Sequence, residues 1–345
     1  MRVAVIGASG YTGLELLRIL SRHAQFEVCV ATSEQRAGAP VGEVFPSLRD
    51  IAKLDFEAND PDSIASRVDL AFTALPHSAS AATVLALRRA GVRVVDLSAD
   101  FRLRDVGIYR AWYGDHPAPQ LIETAVYGLP ELYRERLADT GLVAVPGCYP
   151  TSALLPLVPL LRQGLVATDG IVIDSKSGVS GAGRKLDEQF LFAELDDNCF
   201  AYKVGNQHRH VPEIEQEASF AAGSDISVTF VPHLLPTIRG IATSIYLRPN
   251  SPMTTEDAHR VLEEAYADER FVRVLPAGQT PRLASVRGSN FCDVAAYCDT
   301  RTNTLILLSA LDNLVKGASG GAVQSANVMC GYPEETALLE APLVP

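Results

Sequence analysis

Arg2-Val-Ala-Val-Ile-Gly-Ala-Ser-Gly-Tyr-Thr-Gly13 opens the chain and decides its architecture. A short β-forming run, Arg2 to Ile6, enters a turn with glycines at 7, 10 and 13. An amphipathic stretch, Leu14 to Leu20, follows, and then a second β run from Phe26 to Ala31. Strand, glycine turn, helix and strand within about thirty residues form the first half of a nucleotide-binding fold. Gly7, Gly10 and Gly13, with Ser9, Tyr11 and Thr12 between them, make a GxxGxxG variant of the dinucleotide fingerprint. Glycines there let backbone amides approach a pyrophosphate and let the helix N-terminus face it. A tight βα turn with no ligand is the competing reading.

The alternation continues with a strand at Leu70 to Ala74, a helix at Ser78 to Ala90 and a strand at Arg93 to Leu97. Strands separated by helices imply a parallel sheet covered on both faces. After Cys148 the texture changes. Gly170 to Asp174, Ser227 to Val231, Ile241 to Leu247, Phe291 to Ala296 and Thr304 to Ser309 read as strands around one helix, Thr255 to Ala267, capped at Thr254 or Thr255. The fold class is therefore α/β: a Rossmann-type dinucleotide-binding domain plus a second α+β domain with a mixed, largely antiparallel sheet. Residues 312 to 330, rich in small side chains, read as one long helix, and Tyr332 to Pro345 as a surface extension.

With 345 residues, 47% hydrophobic and 21% charged, the composition is that of a soluble globular protein long enough for two domains. A formal charge of -11 argues against nucleic acid or an anionic membrane as partner. No apolar run is long enough to span a bilayer, and no signal-peptide pattern precedes the first strand. Six cysteines without CxxC or metal-finger spacing fit reduced thiols in the cytoplasm, with no metal site.

The end of the second strand bears on cofactor type. An NAD site places an acid there for the ribose hydroxyls, whereas a 2′-phosphate asks for hydroxyls and a cation. Thr32, Ser33 and Arg36 favour NADP(H); Glu34 would repel that phosphate if it pointed inward.

Pro146-Gly-Cys-Tyr-Pro-Thr151 presents one thiol at a bend. Residues 142 to 145 end a strand, Pro146 and Gly147 turn the chain, and Pro150 suits the first helical position. A thiol at a helix N-terminus has a lowered pKa and reacts as thiolate. A buried, inert cysteine is the alternative. Pro156 and Pro159 make the following helix kinked or short. His208-Arg-His-Val-Pro-Glu213 supplies a second signal, since Pro212 marks a helix start just beyond two imidazoles. Glu213, one helical turn from His210, is placed to orient it, and an imidazole beside a thiol can hold the thiolate and carry a proton. Surface capping histidines are the bland reading. Arg102 and Arg104, Arg184 and Lys185, and Arg239 sit in or beside loops of this acidic chain, which suggests an anionic substrate.

Seven segments, taken together, resemble the N-acetyl-γ-glutamyl-phosphate reductase family, relatives of aspartate-semialdehyde dehydrogenase. They are residues 7–13, Ala74-Leu-Pro76-His77, Asp96-Leu-Ser-Ala-Asp-Phe-Arg102, Val145-Pro-Gly-Cys-Tyr-Pro-Thr151, Ser175-Lys-Ser-Gly-Val-Ser-Gly-Ala-Gly183, His208-Arg-His-Val-Pro-Glu-Ile214 and Asp312-Asn-Leu-Val-Lys-Gly317. The resemblance implies an NADP domain of residues 1–147 and 312–345, a catalytic and dimerisation domain of residues 148–311, and a homodimer or homotetramer. It implies Cys148 as nucleophile toward a small acyl phosphate. Phosphate leaves, a thioester forms, hydride from NADPH gives a thiohemiacetal, and collapse releases the semialdehyde. His210 or His208 would serve as acid/base with Glu213 orienting. Gly7, Ser9, Gly10, Tyr11, Thr12, Gly13, Thr32, Ser33, Arg36, Pro76, Ser177, Gly178, Gly181 and Asn313 would hold the cofactor. Arg102, Thr151, Ser180, Arg209 and Lys316 would hold the substrate. Sister enzymes acting on aminoadipyl or aspartyl phosphate remain alternatives, although lysine-pathway sisters resemble Cys-Asn-Ala-Thr where this chain has Cys148-Tyr-Pro-Thr151. A non-catalytic NADP-binding sensor is the alternative of another class. One departure is Gly320-Gly-Ala-Val-Gln-Ser325, where relatives commonly read Gly-Gln-Ala-Val-Gln-Asn; it puts local packing in question.

Overall fold

The computed structural model describes residues 1–184 and 186–343, so Lys185, Val344 and Pro345 lie outside the described residues. The chain divides into two compact units, Met1–Pro146 with Ala318–Leu339, and Gly147–Gly317 with Glu340–Pro345.

In the first unit, β1 (Arg2–Ile6), β2 (Glu27–Thr32), β3 (Phe56–Glu57), β4 (Leu70–Thr73), β5 (Arg93–Asp96), β6 (Ala125–Tyr127) and β7 (Leu142–Ala144) form one sheet in the order β3-β2-β1-β4-β5-β7-β6. Every pairing in it is parallel. Val3 to Ile6 and Leu70 to Thr73 are buried throughout, as apolar strands covered on both faces must be. Strand order reverses between β1 and β4, the switch point at which such sheets bind ligands. The helix Tyr11–Leu20 follows β1, starting three residues before the amphipathic stretch.

The helix Gly320–Met329 packs in this unit, fastened where Ser319 Oγ donates to the Thr12 carbonyl at 2.9 Å and Ser325 Oγ to the Gly128 carbonyl at 3.0 Å. Ser325 thus gives its departure from the family pattern a packing role. Residues 312 to 330 do not make a single α-helix. The Asp312 carboxylate accepts from the N–H groups of Leu314 and Val315, and a π-helical turn, Val315–Ser319, precedes the α-helix. The tail is also more integrated than a surface extension. The amide of Asn327 donates to the carbonyls of Glu334 and Thr336, Leu338 is buried, and the Leu343 N–H donates to Arg287.

The second unit's sheet contains β8 (Ile171–Gly178), β9 (Phe200–Ala201), β10 (Val228–Leu235), β11 (Ile241–Leu247), β12 (Val272–Val274), β13 (Cys292–Asp299) and β14 (Thr304–Leu311). Their order is β12-β13-β14-β11-β8-β10-β9. The β12–β13 and β8–β10 pairs are parallel and the rest antiparallel, so the sheet is mixed. Its central strands alternate buried with half-buried or exposed residues, as a sheet packed on one face does. The helices Cys148–Arg162 and Thr255–Tyr266 pack on it, the latter opened by a capping box between Thr254 and Asp257.

Cys148–Arg162 is one fifteen-residue helix with Pro156 and Pro159 inside it, so the prolines do not shorten it. Pro150 occupies the third helical position, because Cys148 itself begins the helix. A proline inside a helix leaves the carbonyl four residues earlier without its usual N–H. Here Ser309 Oγ donates to the Ser152 carbonyl at 2.6 Å and the Tyr266 hydroxyl donates to the Leu155 carbonyl. Both orphaned acceptors are served by hydroxyls from elsewhere in the same unit.

Candidate active site

The three glycines of the first turn differ in what surrounds them. Gly7 has φ +79°, and a Cβ there would fall 2.7 Å from the Ala74 carbonyl oxygen. A Cβ on Gly13 would fall 2.4 Å from Ala8 Cα, so helix and strand touch at that point. A Cβ on Gly10 would meet nothing within 4 Å, which leaves an open cradle before the helix Tyr11–Leu20. Open space at a helix N-terminus, lined by a close-packed turn, fits a pyrophosphate.

The end of β2 braces that turn. Thr32 Oγ1 accepts from the Gly7 N–H at 3.1 Å, the Thr32 carbonyl accepts from the Ala8 N–H at 2.8 Å, and Ser33 Oγ donates to Ser9 Oγ at 2.8 Å. Arg36 is exposed. Glu34 is drawn aside, its carboxylate accepting from the Asn59 N–H at 2.8 Å.

The segment after β5 is a hydrogen-bond hub. Asp96, fully buried, accepts from the hydroxyls of Thr73 at 2.5 Å, Ser80 at 2.6 Å and Ser98 at 2.5 Å, yet burial still pushes its pKa up. Asp100 accepts from the N–H groups of Ser78 and Ala81 and from the Tyr109 hydroxyl. It thereby fixes the loop carrying Pro76 and His77, in which Ser78 has φ +69°. Arg102 donates through Nε to the Val145 carbonyl at 2.7 Å and through Nη2 to the Leu97 carbonyl at 2.8 Å. Its guanidinium is held at the C-terminal ends of β5 and β7.

In the second unit Cys148 is the first residue of its helix, with Gly147 in the capping position. The Gly147 N–H donates to Glu213 Oε1 at 2.8 Å, so this carboxylate, 1% exposed, fastens the turn before the cysteine. A Cβ on Gly147 would lie 2.4 Å from Nε2 of His210, which means the imidazole packs on the glycine's bare face. Thr151 Oγ1 donates back to the Gly147 carbonyl at 3.0 Å.

The two imidazoles are not equivalent. His208 lies among the rings of Tyr149, Tyr202 and Phe230, with centroids 5.4, 5.6 and 5.4 Å away, and its Nδ1 accepts from the His210 N–H at 3.1 Å. Burial, aided by the Lys203 charge, lowers its pKa to about 4. His208 is therefore neutral at physiological pH, with its proton on Nε2. His210 is the imidazole beside the cysteine turn. Behind it the Tyr202 hydroxyl donates to the Tyr149 hydroxyl at 3.1 Å, which donates to the His233 carbonyl at 3.3 Å. Burial raises both phenols, Tyr202 to about 12.

Ser177, Gly178, Ser180 and Gly181 form the end of β8 and the turn beyond it. A Cβ on Gly178 would fall 2.8 Å from the Arg239 nitrogen, and the Ser180 N–H donates to the Ile238 carbonyl at 3.1 Å. Asn313 joins the same loops, accepting from the Gly240 N–H at 2.7 Å and donating to Ser180 Oγ at 3.0 Å. Lys316 is 2% exposed, its ammonium 5.9 Å from the centre of the Phe271 ring. Arg104, Arg184 and Arg209 are exposed, and Arg239 lies 3.5 Å from the buried Asp312 carboxylate. Sequence reasoning did not single out Tyr202, nor the contact of Gly317 with Cys148; Gly317 stood in a quoted motif, whereas Tyr202 carried no local signal. Among the described residues no three His, Cys, Asp or Glu side chains converge as a metal site, and no helix is long and apolar enough to cross a membrane.

Residues 2–140 match the NAD binding domain of semialdehyde dehydrogenases, and residues 148–313 match their dimerisation domain. Over 345 residues the chain is 50% identical to an N-acetyl-gamma-glutamyl-phosphate reductase of Pelobacter propionicus, with 100% of both chains covered. It is 51% identical to the enzyme of that name from Geobacter metallireducens, again with 100% of both covered. Two solved structures share the fold. Aspartate semialdehyde dehydrogenase II of Vibrio cholerae has a TM-score of 0.72 at 20% identity, covering 96% of this chain and 98% of that one. The Candida albicans aspartate semialdehyde dehydrogenase with NADP has a TM-score of 0.72 at 18% identity, covering 95% and 98%.

Proposed function

The chain belongs to the N-acetyl-γ-glutamyl-phosphate reductase family, and from that membership we propose that it reduces N-acetyl-γ-glutamyl phosphate to N-acetylglutamate 5-semialdehyde and phosphate, a step of arginine biosynthesis. The observation that carries the chemistry is the His210 imidazole packed on Gly147, immediately before a cysteine that starts a helix.

The Cys148 thiolate attacks the acyl carbon; a C–S bond forms, the C–O bond to phosphate breaks, and phosphate leaves with the electron pair. NADPH, when bound, supplies the hydride that reduces the acyl group held on sulfur. The C–S bond of the resulting thiohemiacetal then breaks, which frees the aldehyde and restores the thiolate. His210 pairs with the thiolate and exchanges the proton of the substrate oxygen, the reaction taking up one proton overall. His208, neutral and caged, holds His210 through the backbone, and Glu213 holds the cysteine turn. Arg102 binds the phosphoryl group through its charge, its guanidinium oriented by the Val145 and Leu97 carbonyls.

The nicotinamide dinucleotide is NADP(H) in this reading. Gly7 to Gly13 would hold its pyrophosphate, and the exposed Arg36 and the buried Ser33 would hold its 2′-phosphate, with Glu34 engaged with Asn59. The protein works in the cytoplasm as a homodimer or homotetramer. The half-buried face of the second sheet, with Val172, Val231, Tyr246, Ile306 and Leu308 on it, meets a second copy.

The test is NADPH formation from N-acetylglutamate 5-semialdehyde, phosphate and NADP⁺, followed at the nicotinamide absorbance. The native protein turns over, and Cys148→Ser loses at least about a thousandfold. Turnover by the serine variant at the native rate would end the covalent reading, and turnover of aspartate semialdehyde alone would move the substrate assignment.

A further inference from the structure

The π-helical turn Val315–Ser319 is where the chain presses on the nucleophile. A Cβ on Gly317 would fall 2.8 Å from Cys148 Cβ, 3.2 Å from Cys148 Cα and 3.3 Å from a methyl of Leu311. Carbon pairs prefer about 3.5–4.0 Å, so no side chain fits there without moving a neighbour. Leu311 cannot easily yield, being fully buried in β14 and paired with Ile241 and Cys292 on either side.

The turn cannot retreat either. The Gly317 N–H donates to the Asp312 carbonyl at 3.0 Å, the i to i−5 bond of a π turn. Asp312 Oδ1 accepts from Leu314 at 2.8 Å and Val315 at 3.1 Å, and Oδ2 accepts from the Gly288 N–H at 2.7 Å. Gly317 does not have a left-handed φ, so backbone freedom is not its reason for being glycine. Close approach to Cys148 is.

We propose that Gly317 is a positioning residue: its missing side chain lets the Asp312-capped π turn form the back wall of Cys148 and fixes the sulfur at the helix N-terminus. This rests on the reading of Cys148 as nucleophile. In Gly317→Ala the methyl displaces Cys148 from its place in the first helical turn, and both its thiolate character and its aim suffer. A small misplacement of a reacting atom costs far more rate than stability.

The experiment pairs turnover with iodoacetamide alkylation of Cys148, read by peptide mass spectrometry between pH 6 and 9. Alkylation does not depend on which acyl phosphate is the substrate. If the acyl-phosphate reading alone were wrong, the variant would still alkylate abnormally. Gly317→Ala is expected to bind NADPH with unchanged affinity, to lose at least about tenfold in kcat, and to alkylate at least about threefold more slowly at pH 7. Asp312→Asn, which keeps the side chain's shape and weakens the cap, is expected to show the same two losses in milder form, and it decides the matter should the alanine variant not fold. Native kcat and native alkylation in either folded variant would overturn the proposal.

Discussion

At the scale of single residues, His208 and His210 show how two identical side chains two positions apart acquire different surroundings. His208 is caged by three aromatic rings, and its Nδ1 is spent on the His210 N–H. His210 faces Gly147, and no larger residue at 147 would allow it. The HxHxPE pattern was legible in the sequence, but the ranking was not, because it depends on Tyr149, Tyr202 and Phe230, which come from three other segments. Glu213 is similar: its spacing from His210 was visible, while its bond to the Gly147 N–H joins residues far apart in the chain. His208→Asn, whose Oδ1 can still accept the His210 N–H, is expected to keep turnover within about threefold, whereas His210→Asn loses at least about a hundredfold. The pKa of His208 is lowered by burial to about 4, below its unfolded value, so the unfolded chain binds the extra proton first. Stability is complete above about pH 6.5 and falls as pH drops toward about 4, by on the order of 3 kcal/mol from this residue. Urea unfolding across that range should show a shallower loss in His208→Asn; equal slopes would place the acid sensitivity elsewhere.

At the scale of elements, the glycine turn and its flanking strands were readable because their cause is local. A strand, three glycines and an amphipathic helix need no distant partner to be recognised. The cysteine helix was readable only in part. Pro156 and Pro159 argued for a break, and the helix runs through them because Ser309 and Tyr266 serve the carbonyls those prolines leave behind. Nothing near residue 150 in the sequence announces either hydroxyl. Tyr266→Phe keeps the ring and removes the donor, which leaves the buried Leu155 carbonyl unserved. A loss of about 1–3 kcal/mol in urea unfolding is expected, with an unchanged m value. A loss below about 0.3 kcal/mol would show that the helix carries its prolines without this bond. The π turn belongs to the same lesson: small residues after 312 look helical, and only the Asp312 carboxylate, bonded to Leu314 and Val315, explains why the regular helix starts later.

At the scale of the whole molecule, each unit has its own sheet. The parallel sheet of the first unit ends in the glycine cradle and Arg102, and the mixed sheet of the second carries the helix begun by Cys148 and the helix Val211–Ala222, which His210 precedes. The change of texture after Cys148 was visible in the sequence, as was the alternation that made the first sheet parallel. The strand order of the second sheet was not, since β12 and β9 are two or three residues long and join its edges through partners distant in sequence. Because acyl transfer needs the thiolate and not the hydride, it should proceed on the intact protein with no cofactor added. The direct test is to mix the native chain with N-acetyl-γ-glutamyl phosphate alone, quench in acid within about a second, and read intact and peptide masses. One N-acetylglutamyl adduct on the peptide bearing Cys148, discharged by later addition of NADPH, is the expected result. An active preparation that forms no adduct, or forms it on another residue, would contradict the account.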